Sequence, residues 1–183
     1  MVIHKNSIMK KQIRKNIFET NSSSTHAVSI FRGSNYVIPE RIEIRPGEFG
    51  WECREYSSPE AKLSYIYTWI LSKCNSYEYN EVTEKYEDHY DYKKLKDYQY
   101  RIKSKLLDAG VKEVEFNKCS GWFEEGYIDH SEDLYNDDLE TILEDYFLDY
   151  VFNPASYIET GNDNDESEVC EAAGADFSIY KGN

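Results

Sequence analysis

The chain has 183 residues, with 35 acidic and 21 basic side chains, a formal net charge of −14 and 17 tyrosines. A chain of this length buries about two thirds of its unfolded surface in one domain, and needs neither a metal nor a disulfide to hold it together. No stretch approaches the roughly eighteen apolar residues of a membrane span, and so acidic a body repels nucleic acid over most of its surface.

The charge is unevenly laid out. Residues 1–50 hold 8 basic and 4 acidic side chains, residues 51–118 hold 12 and 13, and residues 119–183 hold 1 and 18. Residues 1–17 form a basic N-terminal segment, with Lys5, Lys10, Lys11, Arg14 and Lys15 and no acid. No apolar run of signal-peptide length follows it, and Met9 reads as an alternative start. Cys53, Cys74, Cys119 and Cys170 are too far apart for a C-x-x-C pair or a metal knuckle, so reduced thiols and a cytoplasmic setting are expected.

In chain order, Asn21-Ser22-Ser23-Ser24-Thr25-His26 is a polar stretch held between apolar anchors, Ile17 and Phe18 before it and Val28 and Ile30 after it. It reads as a fixed loop presenting hydroxyls and an imidazole, although the same residue types also cap turns and helix starts. Ala27–Phe31 reads as a strand, as do Tyr36–Ile38 and Arg41–Ile44, which suggests an antiparallel meander. Glu48-Phe49-Gly50-Trp51-Glu52 reads as a loop whose rings close the edge of the core.

Ser57-Ser58-Pro59-Glu60 opens a helix of roughly sixteen residues, about 24 Å long. Its apolar face is Leu63, Ile66, Tyr67, Ile70, Leu71 and Cys74. Residues 75–92 are rich in tyrosine and acid and read as an exposed insertion with one helical turn, a candidate contact surface. A second helix runs from Tyr92 to Ala109 and stops at Gly110; Leu95, Tyr98, Ile102 and Leu106 lie on one face, and a basic face carries Lys93, Lys94, Lys96, Arg101, Lys103 and Lys105. Val111–Phe116 then reads as a strand.

A third helix starts near Asn136 or Asp137, where Asp137-x-x-Glu140 resembles a capping box with aspartate as the cap, and ends at Asn153-Pro154. Its inner face is Leu139, Ile142, Leu143, Tyr146, Phe147, Tyr150 and Val151. Tyr157-Ile158 and Phe177–Tyr180 read as further strands. Asp163-x-Asp165-x-Ser167 begins like a calcium loop, but Glu168 stands where that loop needs glycine. The expected fold is one α+β domain over 18–183, with about three main helices packed on a mostly antiparallel sheet.

Four stretches carry a resemblance. Arg14–Ile30, R-K-N-I-F-E-T-N-S-S-S-T-H-A-V-S-I, resembles the opening of a group of small proteins of Gram-positive bacteria and their phages. Gly47–Glu52, Gly126–Ser131 and Ser156–Asn164 extend the similarity along the chain. The resemblance implies phage or mobile-element company and no particular chemistry. In size, acidity and tyrosine content the chain is also similar to the phage-encoded inhibitors called anti-CRISPR proteins.

Two functional expectations result. The first is docking on a basic nucleic-acid-binding surface of a larger protein, for which the resemblance suggests a type II CRISPR effector in a bacterial host cell. The contact groups would be Asp137, Asp138, Glu140, Glu144, Asp145 and Asp149 on the third helix, with Asp163, Asp165 and Glu166 beside it. This role requires no cofactor, and residues 1–17 would touch nucleic acid directly. The second is a small hydrolase in which Ser22 or Ser24 is the nucleophile, His26 or His130 the base and Asp129 or Asp163 the orienting carboxylate. His26, His130 and Asp163 would also suit a divalent metal.

Overall fold

The computed structural model describes residues 24–50, 54–80, 84–118, 126–129, 134–162 and 169–181. The element furthest inside is the first helix, α1 (Pro59–Cys74). Its start is set locally. The hydroxyl of Ser58 accepts the Ala61 N–H at 3.2 Å, Pro59 occupies a position whose N–H would go unbonded, and Glu60 meets the positive end of the dipole. The sequence predicts one apolar face, yet Tyr65, Thr68 and Trp69 are buried as well. The cause is the number of neighbours: β2 (Arg41–Ile44), β5 (Asn75–Asn80), α2 (Tyr92–Ala109), β8 (Tyr127–Ile128) and α4 (Phe147–Phe152) all pack against α1. Full burial of each large apolar side chain contributes about 1.5–3 kcal/mol, so this helix organises the core.

The main sheet has the order β10 (Phe177–Lys181), β1 (Ser24–Ile30), β9 (Tyr157–Asn162), β4 (Arg54–Tyr56), and every neighbouring pair is antiparallel. The architecture is therefore α+β, with helices packed on a mostly antiparallel sheet. The meander is not formed. β1 pairs with two strands from the far part of the chain, and β2 instead runs parallel to β7 (Glu113–Phe116) in a separate ladder. β1 also begins before Ala27, because Ser24, Thr25 and His26 pair with Asn162, Gly161 and Thr160. Part of the expected polar loop is thus strand. Tyr36–Ile38 is not a strand: Asn35 takes a left-handed conformation (φ 64°) and Pro39 follows, so residues 31–40 cross the surface without regular pairing.

Residues 75–90 form a β-hairpin of β5 and β6 (Lys85–Tyr90), with Tyr79 opposite Tyr86 and Asn75 opposite Tyr90, in place of the expected helical turn. Tyrosines at 77 and 79 and at 86 and 90 keep the period of two that suits a strand. α2 comes next, with Asp91 accepting the Lys94 N–H at 2.9 Å. Gly110 and Val111 close it by donating to Leu107 and Leu106.

The third helical segment is interrupted. α3 (Asn136–Thr141) passes through a π-helical turn at Ile142–Tyr146 into α4. Tyr135, not Asp137, stands at its N-cap, and no side chain bonds there. Most of the expected inner face is kept through the π turn, with Ile142, Leu143, Phe147, Tyr150 and Val151 all buried. Tyr146, expected inside, is only half-buried and stacks on Phe177 with ring centres 5.1 Å apart, while Phe152 becomes core. Phe49 does close the core edge, and is 6 % exposed. Residues 1–17, Ser22, Trp51, His130, Asp163, Asp165 and Glu166 lie outside the described residues.

Candidate functional site

The described parts of the four stretches singled out in the sequence meet in space. β1 pairs with β9, β3 (Glu48–Phe49) runs parallel to β8, and β1 is tied by side chains to the turn after β8. At that junction Ser24 Oγ lies 3.0 Å from His26 Nε2 and 3.2 Å from the main-chain oxygen of Asp129, and His26 Nε2 lies 3.1 Å from the same oxygen. Tyr65 Oη approaches His26 Nδ1 at 3.3 Å from α1. Ser24, His26 and Tyr65 are almost completely buried.

Gly50 makes this approach possible. Its φ is 127°, and a Cβ there would lie 2.5 Å from the Cβ of Asp129 and 3.3 Å from Ser24 Oγ. Gly126 (φ 71°) plays the matching part on the other strand, where a Cβ would meet the Gly47 oxygen at 2.5 Å.

The residue types are those of a nucleophile and base, but the proton count argues against that use. A carbonyl oxygen only accepts, so the short approach of His26 Nε2 to Asp129 O places the ring proton on Nε2. Ser24 then donates to Asp129 O, and Tyr65 donates to Nδ1. In this arrangement Nε2 has no lone pair with which to take the serine proton. Asp129 meets His26 through its main chain, while its carboxylate accepts a hydrogen bond from the Tyr127 hydroxyl. The cluster binds β1, α1 and the β8 turn together. Among the described residues no group of three or more His, Cys, Asp or Glu side chains is placed to hold a metal.

The acidic face of the third helix is partly spent inside the molecule. Arg101 on α2 bonds Glu140 Oε2 at 2.6 Å and Glu144 Oε1 at 2.5 Å, Lys105 lies 3.7 Å from Glu144, and Tyr98 donates to Glu140 at 2.8 Å. The Arg101 hydrogen bond comes first among the causes that hold both glutamates below the usual carboxylate range. Asp149 accepts the Gly33 N–H at 2.9 Å and the Tyr36 hydroxyl. Burial, helped by that bond, pushes the Tyr36 hydroxyl up to about 12. These carboxylates are therefore not all uncommitted, as the expectation had it: Glu144, Asp137 and Asp145 are exposed, but Glu140, Glu144 and Asp149 already have partners, and among the described residues Asp137, Asp138 and Asp145 have neither a side-chain hydrogen bond nor an ion pair. Partial burial, and then Asp137, raise Asp138.

One buried charge stands apart from the residues that the sequence singles out. Lys62 is wholly buried on α1, and its ammonium donates to the main-chain oxygens of Asn153 and Ser156 at 2.8 and 2.9 Å, just past the end of α4. Burial lowers it to about 8. The available signal was a second apolar stripe, since Lys62 stands three and seven residues before Tyr65 and Trp69.

No protein-family model matches this sequence, and comparison with curated proteins and with solved structures finds no match to either.

Proposed function

We propose that this chain is an inhibitor that works by binding, docking an acidic face on a basic nucleic-acid-binding surface of a larger protein. A type II CRISPR effector is the first partner to test, and the bacterial cytoplasm the setting. The observation that carries the reading is the charge of residues 119–183, 18 acids against a single base. Asp137, Asp138 and Asp145 form the part of that charge on the third helix that makes no side-chain hydrogen bond or ion pair among the described residues. A basic channel built for phosphates is attracted to such a surface over a Debye length of about 10 Å at 0.1 M salt. The basic segment 1–17 would add a contact to nucleic acid held by the partner. Among the described residues no helix is long and apolar enough to cross a membrane.

The test is a binding assay with purified effector and the triple variant Asp137→Lys, Asp138→Lys, Asp145→Lys. Affinity should fall about tenfold or more, mostly through slower association, and the wild-type interaction should weaken with salt. Undiminished affinity in the variant would overturn the acidic docking face. Glu140 and Glu144 are poor choices for this test, because reversing them also breaks the Arg101 bonds.

The hydrolase reading keeps one observation in its favour, the 3.0 Å approach of Ser24 Oγ to His26 Nε2. Its burial and its proton arrangement favour a structural role.

A further inference from the structure

Beside the crossing segment 31–40 lies a groove of about 610 Å³, within the range of roughly 300–1,000 Å³ typical of ligand sites. Tyr36, Pro39, Pro59, Phe152 and Pro154 give it a largely apolar wall. Three of the five are prolines with fixed φ, and Tyr36 is pinned through its hydroxyl to Asp149, which the Gly33 N–H holds in turn. Gly33 allows the close turn: a Cβ there would lie 3.0 Å from the Asn153 amide and 3.3 Å from the Tyr36 ring. The groove is thus formed in advance. Val37 stands at it 89 % exposed, the most exposed large apolar side chain among the described residues.

The polar groups divide into two sets. Asn153 is used internally, since its side chain donates to Phe31 O and accepts from Ala155 N while its main-chain oxygen takes the Lys62 ammonium. Ser34, Asn35 and Glu60, which also line the groove, bond no other group of the described residues through their side chains. Glu60 is the one carboxylate of the lining among the described residues, and no basic side chain of theirs lines it. An apolar trough with a single carboxylate selects for an apolar body that ends in a cation.

We infer that this groove receives a segment of the basic partner protein in which an arginine or lysine beside an apolar side chain seats its chain on Tyr36 and Val37 and its charge on Glu60. The inference rests on the docking reading and adds a second, mostly apolar anchor to it. Charge on the third helix would steer the encounter, while burial in the groove would set how long the complex lasts.

Two experiments separate this inference from the reading it rests on. In the first, benzylguanidinium is titrated into the isotope-labelled full chain at millimolar concentration, with benzyl alcohol as the neutral control. Amide shifts should concentrate at Gly33, Asn35, Val37 and Glu60, and should disappear in Glu60→Lys. No shifts there, or equal shifts from benzyl alcohol, would overturn the cation site. In the second, purified effector is bound to Glu60→Lys and to Val37→Glu, both at exposed positions, with circular dichroism as the check of folding. Each should weaken binding about tenfold, mainly through faster dissociation. Unchanged affinity in both variants, where the helix charge reversal does weaken binding, overturns the groove as an anchor and leaves the acidic face standing. Specific benzylguanidinium binding with no affinity for the effector would overturn that choice of partner and support the groove's chemistry.

Discussion

The ammonium of Lys62 lies 2.8 Å from the main-chain oxygen of Asn153, joining the first turn of α1 to the end of α4 without a carboxylate. The carbonyl ends of a helix favour a cation, but burial disfavours it more, and the group falls from 10.5 to about 8. The unfolded chain therefore holds this proton more tightly than the folded one between pH 8 and 10.5. The cost is fully present below pH 8 and is relieved as the pH rises through that window, by on the order of 2 kcal/mol. Urea unfolding at pH 7, 8.5 and 9.5 should show stability rising. Lys62→Met should remove the rise, because it takes away the titrating group. Above pH 10 the trend reverses, because Tyr36, Tyr65, Tyr98 and Tyr150 are all held above their ordinary value, so the unfolded chain ionises first.

Arg101→Gln should cost about 1–2 kcal/mol, since its bonds to Glu140 and Glu144 are charge-assisted but partly solvated. Both glutamates are depressed in the folded chain, so their contribution is present above pH 4.5 and is lost as the pH falls through their lowered values. The acid limb of the stability profile should therefore be steeper in wild type than in Arg101→Gln. Identical limbs would show that the cluster contributes nothing.

Gly50→Ala faces both a disfavoured backbone angle and a clash with Asp129. A loss of about 2–4 kcal/mol is expected. Gly174→Ala is the control: its φ is 84° with nothing within 4 Å of the added methyl group, so it should lose only about 1 kcal/mol. Equal losses in thermal unfolding would remove the clash from the explanation.

His26→Ala should lower stability by about 2–4 kcal/mol, because it empties a buried site, removes the Nε2–H donor from Asp129 O and leaves the Tyr65 hydroxyl without its acceptor. Ser24→Ala should cost less, about 1 kcal/mol. Thermal unfolding and hydrolysis of p-nitrophenyl acetate are measured together. Abolished hydrolysis with unchanged stability would return His26 to the role of catalytic base.

α1 and α2 are legible because their signals are local: Ser58-Pro59 at the start of one, Gly110 at the end of the other. The sheet was not, because β1 selects β9 and β10 over the nearer strands by pairing that leaves no local trace. The π turn at Ile142–Tyr146 has no sequence signature either. In the site, Ser24 and His26 lie within hydrogen-bonding reach of Asp129, while Ser22, His130 and Asp163, which the same expectation includes, lie outside the described residues. That Asp129 meets His26 through a main-chain oxygen depends on the backbone course at Gly50. In the sequence the acidic helix reads as an outward surface, because the partner of Glu140 and Glu144, Arg101, lies on a different helix.

β1 also has a consequence in time. It sits in the sheet between two strands that are both made much later, so it stays an unpaired strand while everything up to Tyr157 is synthesised. At roughly 5–20 residues per second that wait is on the order of ten seconds. Throughout it, Val28 and Ile30 have no sheet to enter, and the ribosome-bound chain carries an open edge that a chaperone must cover or a neighbouring chain can capture.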